Sequence, residues 1–222
     1  MVGRQSYNVY QRYFPLRTKM NFISTLGFTG TIIDLLRAAP QLVRLLRERK
    51  SFGVSVDTSG TSCVVSLGWT TYGIITDQIF VAIASGAIAS LFFIITVAAL
   101  RLGRSAREFR VTPLWLVVLF SALIFFGKNG LGLMLSISAL ISNVPQIRVA
   151  YKEENLSGLS LGTWLLTLSG GLVWFVYGFL NNDLTIMVST FFQSVTSTII
   201  IGLKLFKQRT GNTSDTGLIP DQ

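Results

Sequence analysis

The sequence predicts an all-α integral membrane protein of seven transmembrane helices, arranged as two parallel three-helix bundles joined by a linker helix. Three observations predict this fold: an apolar composition, seven apolar segments of membrane-spanning length, and an internal repeat on either side of the fourth segment. Half of the 222 residues are hydrophobic and 13% are charged. Since soluble domains carry about 25% charged residues, the composition indicates a membrane-embedded chain.

The apolar segments set the boundaries of the predicted helices. A helix needs about 20 apolar residues to cross the hydrocarbon core, with about 17 as the lower limit. Segments of this kind occupy residues 22–45, 58–76, 79–100, 112–127, 130–149, 161–180 and 184–205. The predicted parts of the chain are an N-terminal tail at 1–21, a first repeat at 22–102, a basic loop and linker helix at 103–129, a second repeat at 130–206 and a disordered tail at 207–222.

The basic residues orient these spans. Alternate loops fall on opposite sides of the membrane, and one side carries 13 of the 19 Lys and Arg residues whereas the other carries 5. Because basic loops stay in the cytoplasm, the N-terminus is predicted outside and the C-terminus inside. The four basic residues before the first span run against this orientation, and translation from Met20 instead of Met1 would remove them. The net charge of +9 therefore reflects topology and not nucleic-acid binding.

Two copies of one sequence pattern lie 105 residues apart. Without a gap, 14 of the 48 positions from Leu26/Leu131 to Gly73/Gly178 are identical. Two of the four tryptophans and two of the five prolines fall into register, which chance among common apolar residues does not produce. The fourth span adds one membrane crossing between the copies, so the two bundles are parallel and related by an axis along the membrane normal.

The repeated motifs resemble those of a known superfamily. A P-Q pair, then G-x-S, then W-x-x-Y-G, given twice around a linker span, is similar to the PQ-loop/SWEET superfamily of small-solute transporters. The segment LVWFVYGFLNNDL at 172–184 resembles the bacterial SemiSWEETs, which carry one such bundle and dimerise. The resemblance implies that the two bundles rock between inward-open and outward-open states.

Two Pro-Gln pairs, Pro40-Gln41 and Pro145-Gln146, interrupt the first and fifth spans. A proline inside a helix lacks an N–H and clashes with the carbonyl four residues earlier. In lipid the freed carbonyl must be satisfied within the protein, and the adjacent glutamines are placed to do so or to face water in a cavity. The superfamily resemblance implies that both pairs are hinges; a static kink is the alternative.

Trp69 and Trp174 lie deep in their spans, 11 and 13 residues from the start, or about 16 and 20 Å at 1.5 Å per residue. Tryptophans away from the interfacial belt predict two walls of a solute pocket, with helix packing as the alternative. In SemiSWEETs the equivalent tryptophan lines the pocket together with an asparagine sixteen residues later. Ser85 and Thr190 stand at those positions here, and a hydroxyl lacks the reach of the amide. Further pocket candidates are Asn143 and Gln193.

Asp34 and Arg37 are the charged residues that lie well inside a predicted span. Their i, i+3 spacing places them on one helix face, where they form a pair. The alternative is a proton-coupling carboxylate, as in the lysosomal amino-acid branch of the superfamily. The matching residues of the second repeat, Ala139 and Ser142, offer no symmetric relay. The loop carboxylates are expected to be solvated: Glu48, Glu153, Asp77 and Asp183.

These observations predict a transporter. The chain has no histidine and one cysteine, Cys63, which removes Ser-His-Asp and Cys-His catalysis and any disulfide within the chain. No enzymatic activity, cofactor or metal is expected. The predicted function is facilitated diffusion of a small neutral solute, foremost a sugar, by alternating access across the cell membrane, or across an endolysosomal or vacuolar membrane in a eukaryote.

Two alternatives stay open from the sequence. One is a proton-coupled transporter of cystine or cationic amino acids, which would use Asp34. A more remote one is a membrane sorting receptor on the same scaffold. The expected partners are the small-molecule solute and membrane lipid, a homo-oligomer is compatible with the fold, and nucleic acid is not expected.

Overall fold

The computed structural model is all-helical in the residues that it describes. It describes the backbone of residues 3–48, 55–152 and 161–215, and within these ranges the side chains of all residues except 3–21, 40–41, 44, 48, 140–146, 148–149 and 208–215. In these ranges the helices are α1 (Gly3–Glu48), α2 (Val56–Ile75), α3 (Ile79–Arg101), a 3-10 helix (Ala106–Glu108), α4 (Val111–Lys152), α5 (Leu161–Leu180) and α6 (Leu184–Asp215).

Helix α4 is a hairpin of two helical segments. Gly127 has φ 60° and ψ −149°, a non-helical conformation inside the element that glycine adopts at little cost. Trp115 Nε1 donates to Ser138 Oγ at 2.9 Å, although residues 23 apart in a straight helix lie about 35 Å from each other. The chain therefore folds back at Gly127, between the fourth and fifth predicted spans.

The two repeats fold into matching bundles. Helix α3 packs on both α1 and α2, and α6 packs on both α5 and α4. The contacts of α6 with α4 include the second segment of α4, since Ser136 Oγ donates to Thr185 O at 3.2 Å. Between the bundles, α1 packs on α5 and α2 packs on α4. A two-fold rotation exchanges these two interfaces, because α1 corresponds to the second segment of α4 and α2 corresponds to α5.

The turns before α3 and α6 show the same symmetry at single residues. Asp77 (φ 57°) and Asn182 (φ 55°), 105 positions apart, are both left-handed, a conformation that Asp and Asn tolerate better than most residues. Each turn brings its two helices close together, because a Cβ at Gly73 would lie 2.6 Å from Ala82 N and one at Gly178 would lie 3.0 Å from Ile186 Cβ. The W-x-x-Y-G motif thus ends in a glycine that permits close helix packing.

Five helical segments among the described residues are long and apolar enough to cross a membrane, which supports an integral multi-pass membrane protein. They are Phe22–Ala39, Ile79–Arg101, Val111–Ala139, Leu161–Leu180 and Leu184–Lys207. Seven spans were expected. The fourth and fifth expected spans share the hairpin α4, and α2 is rich in Gly, Ser and Thr, which lower its hydropathy without adding charge.

Two helices continue well beyond the expected boundaries. Helix α1 starts at Gly3, within the predicted tail, and α6 continues to Asp215, within the tail predicted to be disordered. A helix does not need to end where the apolar segment ends, because backbone hydrogen bonds form in water as well.

The backbone is also helical through Pro40-Gln41 and Pro145-Gln146. The side chains of these four residues lie outside the described residues, so the hinges stay a prediction.

Asp57, in the first turn of α2, binds the first residues of α4. Its carboxylate accepts hydrogen bonds from Val111 N at 2.9 Å, Thr112 N at 2.9 Å and Thr112 Oγ1 at 2.8 Å. Desolvation raises the pKa of Asp57, but the hydrogen bonds from the amides of Val111, Thr112 and Arg110 and from the Thr112 hydroxyl together lower it below its ordinary value. The ionised form of Asp57 therefore caps α4.

Replacing Asp57 with alanine should destabilise the protein at neutral pH by about 1 kcal/mol, the usual cost of a lost helix cap. Because the folded pKa is lowered, the contribution is complete above the unfolded pKa of about 3.9 and is lost as the pH falls through the folded pKa. Thermal unfolding in detergent at pH 7 and pH 3 should show a difference from the wild type that shrinks at the lower pH. A difference that grows on acidification would contradict the prediction, and Asp57→Asn, which keeps one acceptor, should lose less.

Candidate functional site

The two bundles enclose a cavity of about 140 Å³. Residues from both repeats line it in pairs that lie 105 positions apart. The pairs are Trp69 and Trp174, Val81 and Ile186, Ser85 and Thr190, and Ile88 and Gln193. The cavity therefore lies across the approximate two-fold axis. Four predicted pocket residues line it together: Trp69, Trp174, Ser85 and Thr190. Asn143 lies outside the described side chains.

The two tryptophans occupy equivalent positions in their bundles. Trp69 packs edge-on against Tyr72 with ring centroids 5.7 Å apart, and Trp174 packs in the same way against Tyr177 at 5.2 Å. Such edge-to-face contacts are a favourable geometry for aromatic pairs. Both indoles are half-buried, so each ring is held by its neighbour while part of it faces the cavity.

Asp34 distinguishes the two tryptophans. Trp174 Nε1 donates to Asp34 Oδ2 at 2.8 Å, which connects α5 to α1. In the other half of the cavity the residue that corresponds to Asp34 is Ala139, which offers Trp69 no acceptor. Gly30 lies directly beside the indole of Trp174, since a Cβ at Gly30 would lie 2.7 Å from Trp174 Cε2. The ring of Trp174 is thus fixed between α1 and its own helix.

Arg37 pairs with Asp34, as the i, i+3 spacing predicts. Arg37 Nη2 lies 3.3 Å from Asp34 Oδ1, and the side chains are 31% and 17% exposed. Both residues line the cavity. Among the described lining residues these two carry formal charges, and their charges cancel. The cavity is therefore polar on the α1 side without a net charge.

The hydroxyl groups of the cavity differ in their hydrogen bonding. The hydroxyl of Thr190 donates to Ile186 O at 2.6 Å, the usual bond of a helix hydroxyl to the carbonyl four residues earlier. Ser85 makes no side-chain hydrogen bond within the described part of the chain. Two further serines line the cavity and were not predicted, Ser66 and Ser189. Spacing along the helix does not single out both, because Ser66 precedes Trp69 by three residues but Ser189 is next to Thr190, and adjacent helix residues point in different directions.

Gln193 also lines the cavity, as one of the further candidates. Its Nε2 donates to Thr167 O at 3.5 Å. The residue that corresponds to Gln193 in the first repeat is Ile88, which lines the cavity as well. The second bundle thus offers an amide where the first offers an aliphatic side chain, so a bound solute meets two chemically different walls.

A hydrogen-bonded cluster lies at the end of the cavity near the 76–78 and 181–183 turns. Tyr72 Oη donates to Asp183, 2.9 Å from Oδ2 and 3.0 Å from Oδ1, and Gln78 Nε2 donates to Asp183 Oδ2. Ile186 N donates to Asp183 Oδ1 at 3.0 Å, so Asp183 also caps α6. Asp183 is 9% exposed. The expectation that Asp183 is solvated in a loop was wrong, because residues of the other bundle cover it.

Gln78 and Asp183 are themselves 105 positions apart. Two residues related by the repeat that touch each other must lie beside the axis that relates the bundles. The cluster therefore joins the bundles at the axis. Among the described residues, no group of three or more His, Cys, Asp or Glu side chains is placed to hold a metal ion.

Comparisons with known proteins agree with this geometry. The family model of the PQ loop repeat matches residues 129–187, which confirms the second repeat as a PQ-loop repeat. The fold is similar to that in a structure described as "The 3.7 A resolution structure of a eukaryotic SWEET transporter". The TM-score is 0.69 at 17% sequence identity, over 84% of this chain and 97% of that chain. No curated protein matches the sequence.

Proposed function

We propose that this chain is a membrane transporter of a small neutral solute, foremost a monosaccharide. The PQ-loop repeat and the similarity to a SWEET fold together support assignment to the PQ-loop/SWEET superfamily. The chain acts by facilitated diffusion and is not an enzyme. The observation that carries the proposal is the cavity between the bundles, which two repeat-related tryptophans line.

The size and charge of the cavity favour a small neutral solute. A cavity of about 150 Å³ holds one benzene ring, and the cavity here has about 140 Å³. The cavity therefore has room for the ring of one small solute, whereas a disaccharide requires the bundles to move apart. A charged solute would need an uncompensated opposite charge in the wall, and Asp34 already pairs with Arg37. Indole faces bind the apolar faces of sugar rings and leave the hydroxyls to polar neighbours.

A contact that ties the two bundles together at one end supports alternating access. The Tyr72–Gln78–Asp183 cluster joins the bundles there. In the proposed topology of seven spans, with the N-terminus outside and the C-terminus in the cytoplasm, this end faces outward. Rocking of one bundle against the other about the axis would break the cluster and open the cavity to the outside. Pro40-Gln41 and Pro145-Gln146 are the proposed hinges, and the cell membrane is the proposed location.

A second candidate is proton-coupled transport of an amino acid, and one observation favours it. Asp34 lies in the cavity wall, pairs with Arg37 and accepts from Trp174 of the other bundle. A proton on Asp34 would change both contacts and hence the packing of α1 against α5. A carboxylate and a guanidinium side by side also match the two charges of a zwitterionic solute. We rank this candidate second because both charges are already engaged with each other.

Uptake by proteoliposomes separates the two candidates. We expect the purified protein to equilibrate labelled D-glucose down its gradient, at a rate that an imposed pH gradient does not change. Uptake of cystine or arginine driven by an inside-alkaline gradient, abolished by Asp34→Asn, would replace the first candidate by the second. Saturable binding of a solute without counterflow would contradict both and indicate a receptor. Liposomes without protein provide the background.

A further inference from the structure

Three serine hydroxyls that line the cavity have no partner within the described part of the chain. They belong to Ser66 on α2, Ser85 on α3 and Ser189 on α6. On the same three helices, three hydroxyls that do not line the cavity are engaged within their own helix. Thr70, Ser90 and Ser194 each donate to the carbonyl four residues earlier, at 2.8, 2.9 and 2.8 Å.

Ser189 shows the contrast most clearly. It is 4% exposed, and a buried hydroxyl without a hydrogen bond is costly. Its usual acceptor, Thr185 O, already accepts from Ser136 Oγ at 3.2 Å. The hydrogen-bond partner of the Ser189 hydroxyl must therefore be a molecule in the cavity, either water or a solute.

We propose that Ser66, Ser85 and Ser189 form a set of solute-binding hydroxyls that selects a neutral polyhydroxylated ring. This proposal rests on the proposed function and names the groups that recognise the solute. Each serine both donates and accepts a hydrogen bond, as does each hydroxyl of a sugar, so the two sets pair in either direction. A carboxylate or ammonium group gains less from them, because neutral hydroxyls do not compensate its charge.

The positions of the three serines also orient the solute. Ser66 and Ser85 belong to the first bundle and Ser189 to the second, so one solute bridges both. The residues that correspond to Ser66 and Ser189 in the other repeat are Gly171 and Ala84, which have no hydroxyl. The hydroxyl set is therefore asymmetric, as are the Asp34 and Gln193 sides of the cavity, and one orientation of the ring is favoured.

Equilibrium binding of D-glucose, followed by quenching of tryptophan fluorescence, tests the proposal. Ser66→Ala, Ser85→Ala and Ser189→Ala should each weaken binding about fivefold, the effect of one hydrogen bond, and the triple variant should bind at least about fiftyfold more weakly. The matched controls Ser90→Ala and Ser194→Ala, which remove hydroxyls engaged within their own helices, should change binding less than about twofold.

A second measurement separates binding from folding. Because the cavity hydroxyls lack internal partners, their removal should leave the thermal midpoint of unfolding unchanged or raise it, while binding weakens. Wild-type affinity in the triple variant would overturn this proposal and leave the transporter assignment intact. Absence of D-glucose binding by the wild-type protein would overturn the sugar assignment and this proposal together, and a triple variant that unfolds at lower temperature would show that the serines are structural.

Discussion

Replacing Trp174 with alanine should reduce uptake of D-glucose by proteoliposomes about a hundredfold or more. The indole is one wall of the cavity, and its Nε1 holds Asp34 of α1 at 2.8 Å. Truncating an aromatic side chain that anchors a binding site costs about 3 kcal/mol of binding free energy, and each 1.4 kcal/mol is a factor of ten in affinity. The substitution also leaves the Asp34 carboxylate with Arg37 as its remaining partner. Both effects lower the affinity of the cavity for the solute.

Two further variants separate the ring from its hydrogen bond. Trp174→Phe keeps an aromatic face but has no N–H for Asp34, so uptake should fall by about tenfold, the value of a hydrogen bond to a charged group. Trp69→Ala removes the other wall without touching Asp34 and should also reduce uptake strongly. If Trp174→Ala, shown by size-exclusion chromatography to be folded, retained half of the wild-type uptake, the indole would not belong to the transport site.

The sequence was most informative where the two repeats are alike. The register of 105 residues brings Trp69 and Trp174 into matching places, and the structure places both in the wall of one cavity. The reason is physical: a repeat that folds twice in the same way and packs about a two-fold axis puts its equivalent residues on opposite sides of that axis. The helical class, predicted from composition and the lengths of the apolar segments, is confirmed. The resemblance of the motifs to a PQ-loop repeat is confirmed for residues 129–187.

The sequence was least informative about contacts between the bundles. Asp183 was expected in solvent because it lies in a loop between two apolar segments, yet Tyr72 and Gln78 of the other bundle bury it. The bond from Trp174 to Asp34 joins residues 140 positions apart. Such pairs depend on how the bundles dock, and neither composition nor spacing along one helix encodes that. Ser66 and Ser189 were missed for a simpler reason, since serine is common in membrane helices and its orientation is visible only in the structure.

Exchanging Gln78 and Asp183 should rescue a defect that each substitution causes alone. Gln78→Asp by itself places two carboxylates in contact inside the protein, where like charges are strongly unfavourable. A buried charge without a compensating partner costs about 3 kcal/mol of folding free energy. This cost corresponds to a fall of about 10 °C in the thermal midpoint for a chain of this length. Asp183→Gln alone removes the charge that accepts from Tyr72 and Ile186, with a smaller loss.

The double variant Gln78→Asp/Asp183→Gln restores one carboxylate and one amide at the axis. The two-fold symmetry then supplies the missing partners. Tyr177, which corresponds to Tyr72, should donate to the new carboxylate, and the amide of Val81 should bond to it as Ile186 N does to Asp183. Helix α3, whose N-cap Gln78 makes no side-chain cap bond, would gain a cap while α6 loses one. The net change in stability should therefore be small.

Thermal unfolding in detergent at pH 7 measures the rescue. The midpoint of the double variant should lie within about 3 °C of the wild type, whereas that of Gln78→Asp should lie about 10 °C below it. Asp77→Asn, a change of an exposed carboxylate in the neighbouring turn, controls for loss of charge at this end of the molecule and should have little effect. A double variant as unstable as Gln78→Asp would mean that the two positions are not equivalent in their surroundings. Because both residues touch at the axis only if the repeats pack as symmetric bundles, that outcome would count against the symmetry itself.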